Sequence, residues 1–97
     1  MLLLDAGDVF QGTPWFDVYG GEVDIRLMGE MGYDAMAIGN HEFDNGLQAL
    51  ADAAGEASFP MLAANYGIYD TPLHGLVRRF LVKDMPGFKV GIFGLGI

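Results

Sequence analysis

Leu2-Leu3-Leu4 is a continuous apolar run that stops at Asp5-Ala6-Gly7-Asp8, the pattern of a buried strand delivered into a glycine-containing turn. From Val23 the period changes. Val23, Leu27, Met28 and Met31 recur at helical spacing, with Glu22, Asp24, Arg26 and Glu30 between them and Gly32 where a helix stops. Ala35-Met36-Ala37-Ile38 then gives a second short strand, which runs into the polar cluster Gly39-Asn40-His41-Glu42-Phe43-Asp44. Leu47, Leu50, Ala51 and Ala54 space a second helix that closes near Gly55, and Pro60 to Asn65 is a third strand ending in an amide. The order β-α-β-α-β predicts parallel strands joined by right-handed crossovers.

The last third reads differently. Residues 66–75, with Gly, Asp, Thr and Pro, form the most loop-like stretch, and His74 falls within it. Phe80-Leu81-Val82 and Val90-Gly91-Ile92-Phe93 flank Met85-Pro86-Gly87-Phe88, a Pro-Gly turn signal between two strand-like runs, and so predict a hairpin. Arg78 and Arg79 precede it as a solvated face. The fold class is therefore α/β: β-α-β-α-β plus a hairpin.

Composition narrows the function. With 97 residues, 52% of them apolar, the chain has room for one domain and no second. A formal net charge of -8, with only five Lys and Arg, would repel a phosphate backbone, so nucleic-acid polymers are excluded as partners. The chain has no cysteine, and any metal must be held by oxygen and imidazole. No apolar run approaches the roughly 18 residues of a membrane span, and Met1 to Leu4 meets Asp5 without a basic leader or a cleavage site.

The candidate chemistry lies just past two strand ends. Asp8 follows the first strand; Asn40 and His41 follow the second. If those strands are parallel neighbours, the three side chains converge on one sheet edge, where open α/β sheets bind ligands. A carboxylate can bridge two metals, an amide oxygen can ligate one, and an imidazole can ligate or donate a proton. Taken singly, each residue also has an ordinary structural use: Asp8 beside Gly7 in a turn, Asn40 after Gly39 in a left-handed backbone, and His41 as a satisfied structural histidine. Asp44 before Asn45-Gly46 could cap a helix or open a turn.

Two blocks resolve the ambiguity by resemblance. Gly7-Asp8-Val9-Phe10-Gln11-Gly12-Thr13 is similar to the GDxxQGT block of 5'-nucleotidases, and Gly39-Asn40-His41-Glu42-Phe43-Asp44 resembles their GNHEFD block. The second block joins that family to the wider calcineurin-like metallophosphoesterases. The similarity continues through residues 33–38, 59–65 and 89–92.

The resemblance implies part of a metallophosphatase α-β-β-α sandwich. It implies that Asp8 bridges two divalent metals (Mn, Zn, Co or Mg) and that Asn40 ligates the second. His41 stabilises the transition state and protonates the leaving group, and Asp44 orients His41. Glu42 and Phe43 support the loop. The implied reaction is hydrolysis of a nucleoside 5'-monophosphate or related phosphoester by metal-activated hydroxide, in a parent protein that is periplasmic or extracellular.

The same resemblance implies ligands that this chain lacks. The family carries a D-x-H block upstream, and a further histidine and a GHxH block downstream; its frequent Gly-Leu-Thr ending reads Gly94-Leu95-Gly96 here. Residues 1–97 are therefore expected to be a partial catalytic domain, inactive or nearly so alone and binding metal weakly or not at all. Unpaired strand edges would then invite self-association. Asn65, Trp15, Phe16 and Tyr19 are candidate supporting residues near the site. Cyclic nucleotide phosphodiesterases, nucleotide-sugar diphosphatases and sulfur-oxidation hydrolases share the two blocks, and a noncatalytic α/β interaction domain is the reading from a different class.

Overall fold

The computed structural model describes residues 1–9, 22–44, 46–68 and 70–96. Trp15, Phe16, Tyr19 and positions 10–13 of the first motif lie outside the described residues. In chain order the elements are β1 (Leu4–Asp5), α1 (Glu22–Glu30), β2 (Ala35–Ala37), a 3-10 turn (Asn40–Phe43), α2 (Leu47–Glu56), β3 (Met61–Leu62), β4 (Val77–Arg78), β5 (Phe80–Met85) and β6 (Phe88–Phe93).

The first four strands form one parallel sheet in the order β1-β2-β3-β4, with Leu4 opposite Ala35, Met36 opposite Met61 and Leu62 opposite Arg78. Short apolar strands alternating with helices are what a parallel sheet demands, because each crossover helix must cover the sheet. β5 and β6 form the antiparallel hairpin around Pro86-Gly87, from Phe80 opposite Phe93 to Met85 opposite Phe88. Hydrogen bonds tie it to the parallel sheet. Lys83 Nζ donates to Asp34 Oδ1 at 2.6 Å, and beyond β6 the Ala64 amide donates to the Gly94 carbonyl at 2.8 Å.

The core lies between the helices and the parallel sheet. Ile25, Leu50, Met36, Ile38, Met61 and Leu73 are at most 1% exposed, and side chains of this size contribute about 1.5–3 kcal/mol each when fully buried. Tyr33 and Phe59 close one side with ring centroids 6.3 Å apart.

Three expectations are corrected. The helix α1 does not bury the stripe through Leu27 and Met31, which are 52% and 66% exposed; it buries Ile25 and Met28. Gly29 lets the helix approach closely there, since a β-carbon would meet the Ser58 hydroxyl after α2. Leu4 is half exposed rather than buried, because β1 borders the sheet and its side chain lines an open groove of ≈ 320 Å³ shared with Ile92, Phe93 and Leu95. α2 ends at Glu56, near Gly55 as expected. The loop after β3 leads into a fourth parallel strand, so Arg78 belongs to the sheet, although its side chain remains exposed as expected. Within that loop the His74 amide closes a turn on the Thr71 carbonyl.

Candidate active site

The parallel register of β1 and β2 decides where the motif residues fall. Asp5 pairs with Met36, so the chain leaves both strands at the same sheet edge, three residues before Asp8 and four before Asn40. Asp5 then accepts the Gly7 amide at 2.8 Å, which turns the chain sharply at Gly7, where φ is 97°. A β-carbon on Gly7 would lie 2.6 Å from the Gly39 nitrogen and 2.8 Å from the Ala37 oxygen. Only glycine allows the two motif turns to approach this closely.

Asp8 itself has φ 63°, left-handed backbone that a side chain occupies at a cost of roughly 1–2 kcal/mol. Two hydrogen bonds hold it there. Its amide donates to Glu42 Oε1 at 2.7 Å, and its own Oδ1 accepts the His41 amide at 2.9 Å. The Asp8 carboxylate also meets the end of the Asn40 side chain. With the amide nitrogen turned inward, Asn40 donates to Asp8 Oδ2 at 3.2 Å and Oδ1 at 3.3 Å. Rotated by half a turn, the amide would instead place its oxygen against the same carboxylate, which is the arrangement a cation between them would select.

His41 Nδ1 lies 2.9 Å from Asp44 Oδ2. This hydrogen bond is the main reason the imidazole pKa stands above its ordinary 6.5; desolvation opposes it, and the negative charges of Asp44, Asp8 and Glu42 add to it. Asp44 therefore engages His41 rather than capping α2, whose N-cap position is Gly46 without a side-chain bond. This bond engages Nδ1 and does not involve the ring's other nitrogen, Nε2.

Glu42 is the residue whose importance the sequence understated. It is 1% exposed, and its Oε1 accepts the Gly39 amide at 2.8 Å as well as that of Asp8. Phe43 packs edge-on against Tyr66 at 5.6 Å. Asn65, expected near the site, is instead committed to the backbone: its side chain donates to the Gly96 carbonyl at 2.7 Å and accepts the Gly96 amide at 3.0 Å, pinning the exit from β6 to the end of β3.

Asp8 and Asn40 could together present oxygen donors to a hard divalent cation. They fit as one edge of a coordination shell, since such cations take about six ligands. Among the described residues no group of three or more His, Cys, Asp and Glu is placed to hold a metal.

The candidate site thus joins a parallel α/β sheet, a strand-end carboxylate against a strand-end amide, and a histidine held by an aspartate. Calcineurin-like phosphoesterase YfkN from Bacillus subtilis shares the fold, with TM-score 0.72 and 27% identity over 98% of this chain and 34% of that one. The 5'-nucleotidase precursor from Thermus thermophilus is more similar, with TM-score 0.91 and 46% identity over 98% of this chain and 19% of that one. A snake venom 5'-nucleotidase from Gloydius brevicauda is 45% identical over 97% of this chain. No family model matches the chain. Over its length, the chain belongs to the 5'-nucleotidase family of the calcineurin-like metallophosphoesterases. It spans 17% of the length of the snake venom relative.

Proposed function

We propose that this chain supplies part of the catalytic site of a metal-dependent phosphoric ester hydrolase acting on nucleoside 5'-monophosphates or related phosphoesters. The observation that carries this reading is the convergence of Asp8, Asn40 and the Asp44–His41 pair on one sheet edge. In it, Asp8 and Asn40 hold divalent cations (Mn, Zn, Co or Mg), completed by ligands outside these 97 residues. When bound, such cations supply Lewis acidity and a water of depressed pKa.

The chain's own residues do the rest. Asp44 fixes His41 with Nδ1 engaged, which leaves Nε2 as the atom that meets a phosphate oxygen or the leaving alcohol. The Asp44 hydrogen bond raises the imidazole pKa and so favours its protonated form, which suits it to stabilise negative charge and protonate a leaving oxygen. The hydrogen bond from the His41 amide to Asp8 sets the distance between the cation-facing carboxylate and this proton donor.

The chain alone, with two donors, binds metal weakly and is inactive or nearly so. A location outside the cytoplasm is proposed with the function, in keeping with the snake venom relative. Among the described residues the outer edge of β1 pairs with no other strand, and it offers a surface for self-association.

The test is a substitution series in the protein expressed with its natural flanks. Asp8→Ala, Asn40→Ala and His41→Ala should each lower phosphomonoesterase kcat/KM by on the order of 100-fold or more. A noncatalytic interaction domain predicts that all three change stability alone.

A further inference from the structure

Glu42 is the buried charged side chain of the described residues, at 1% exposure, and the chemistry proposed above does not use it. Burying a carboxylate opposes folding unless hydrogen bonds offset the lost hydration. Here one oxygen, Oε1, accepts two backbone N–H groups, from Asp8 at 2.7 Å and from Gly39 at 2.8 Å. Those amides belong to different motif turns, one leaving β1 and the other leaving β2. A β-carbon on Gly7 would stand 3.0 Å from the same oxygen, so the glycine that lets the turns meet also makes room for this carboxylate.

Each bond fixes one functional group. Holding the Asp8 amide keeps that residue at φ 63°, from which its Oδ1 reaches the His41 amide at 2.9 Å. Holding the Gly39 amide sets the entry of the 3-10 turn that carries Asn40 and His41. Bonds to a charged acceptor are shorter and about twice as strong as neutral ones, and misplacement of a reacting group by about 1 Å can cost 100-fold in rate.

We propose, resting on the phosphoesterase reading for its catalytic consequence, that Glu42 is a positioning residue: its single buried oxygen locks the Asp8 turn and the Asn40–His41 turn into one register. A packing role and a positioning role part at two variants. E42M keeps the buried volume and removes the acceptor, whereas E42Q keeps an acceptor oxygen and removes the charge.

The experiment combines backbone amide hydrogen exchange by NMR with AMP hydrolysis in Mn2+, on the protein expressed with its natural flanks. E42M should accelerate exchange at Asp8 and Gly39 by roughly tenfold or more, the loss of a charge-assisted bond. Exchange at Leu50 in α2 and Met61 in β3 should stay unchanged. In the same variant kcat should fall on the order of 100-fold, with KM within about threefold. E42Q should recover most of both losses.

Wild-type protection at Asp8 and Gly39 in E42M would overturn the assignment. So would acceleration spread evenly over α2 and β3, which would mark Glu42 as a general stability residue. If the unsubstituted protein hydrolyses nothing, the phosphoesterase reading fails, and the exchange pattern still decides whether Glu42 locks the two turns.

Discussion

Replacing Gly7 with alanine should destabilise the protein more than the same replacement at Gly32, the C-terminal cap of α1, although both glycines have positive φ, at 97° and 87°. The conformation alone costs a side-chain-bearing residue roughly 1–2 kcal/mol. At Gly32 nothing among the described residues lies within 4 Å of the new methyl group, so that is the whole effect. At Gly7 the methyl meets the Gly39 nitrogen at 2.6 Å, the Ala37 oxygen at 2.8 Å and Glu42 Oε1 at 3.0 Å. Two of these atoms are backbone and the third is held by two hydrogen bonds, so none yields easily. Overpacking of this kind adds about 1–3 kcal/mol, for a total of about 2–5 kcal/mol. At about 4–8 °C per kcal/mol for a domain of this size, Tm should fall by roughly 8–40 °C in G7A and by about 4–16 °C in G32A. Thermal unfolding followed by far-UV circular dichroism, with urea titration as a check, measures both. Equal losses in the two variants would refute the claim that the motif turns touch through Gly7.

Leu50→Ala, which empties a site at 0% exposure between α2 and the sheet, should cost about 2–5 kcal/mol in urea unfolding. Asp44→Asn should lower the His41 pKa, read from the imidazole proton shifts in an NMR titration, because it removes the hydrogen bond that raises it most. That raised value carries a sign for stability: the His41–Asp44 contribution is fully present below the unfolded-state pKa near 6.5 and is lost as pH rises through the higher folded value. The opposite sign holds at Asp34, whose pKa is lowered chiefly by the Lys83 hydrogen bond and also by the Leu3 amide. Its contribution is present above the unfolded value near 3.8 and is lost as pH falls through the folded one, so Lys83→Met should flatten the acid limb of the stability curve.

How much the sequence disclosed depended on the length of the apolar pattern around each element. The alternation of strands and helices, and the Pro86-Gly87 hairpin, were legible because even the short strands sit in longer apolar runs, such as Leu2 to Leu4 and Pro60 to Ala64. β4 was not, since Val77–Arg78 offers two residues of mixed character after a turn-rich stretch, and its pairing with β3 is a tertiary event. The buried face of α1 was misread in part, because Leu27 and Met31 are as apolar as Ile25; Met28 of the expected stripe is buried. At the site, the convergence of Asp8, Asn40, His41 and Asp44 followed from strand order and register. Glu42 did not stand out, because its function depends on burial and on two amides brought from separate turns. The use of Asn65 was not legible either, because its partner is backbone at Gly96, 31 residues away in the chain.

The central claim is that this sheet edge serves metal-dependent phosphoester hydrolysis, and AMP hydrolysis by the protein expressed with its natural flanks tests it most directly. Phosphate release should require Mn2+, Zn2+, Co2+ or Mg2+, vanish on chelation and return when metal is restored, and Asp8→Ala should abolish that return. Hydrolysis that persists undiminished in chelator, or that survives Asp8→Ala, would contradict the account.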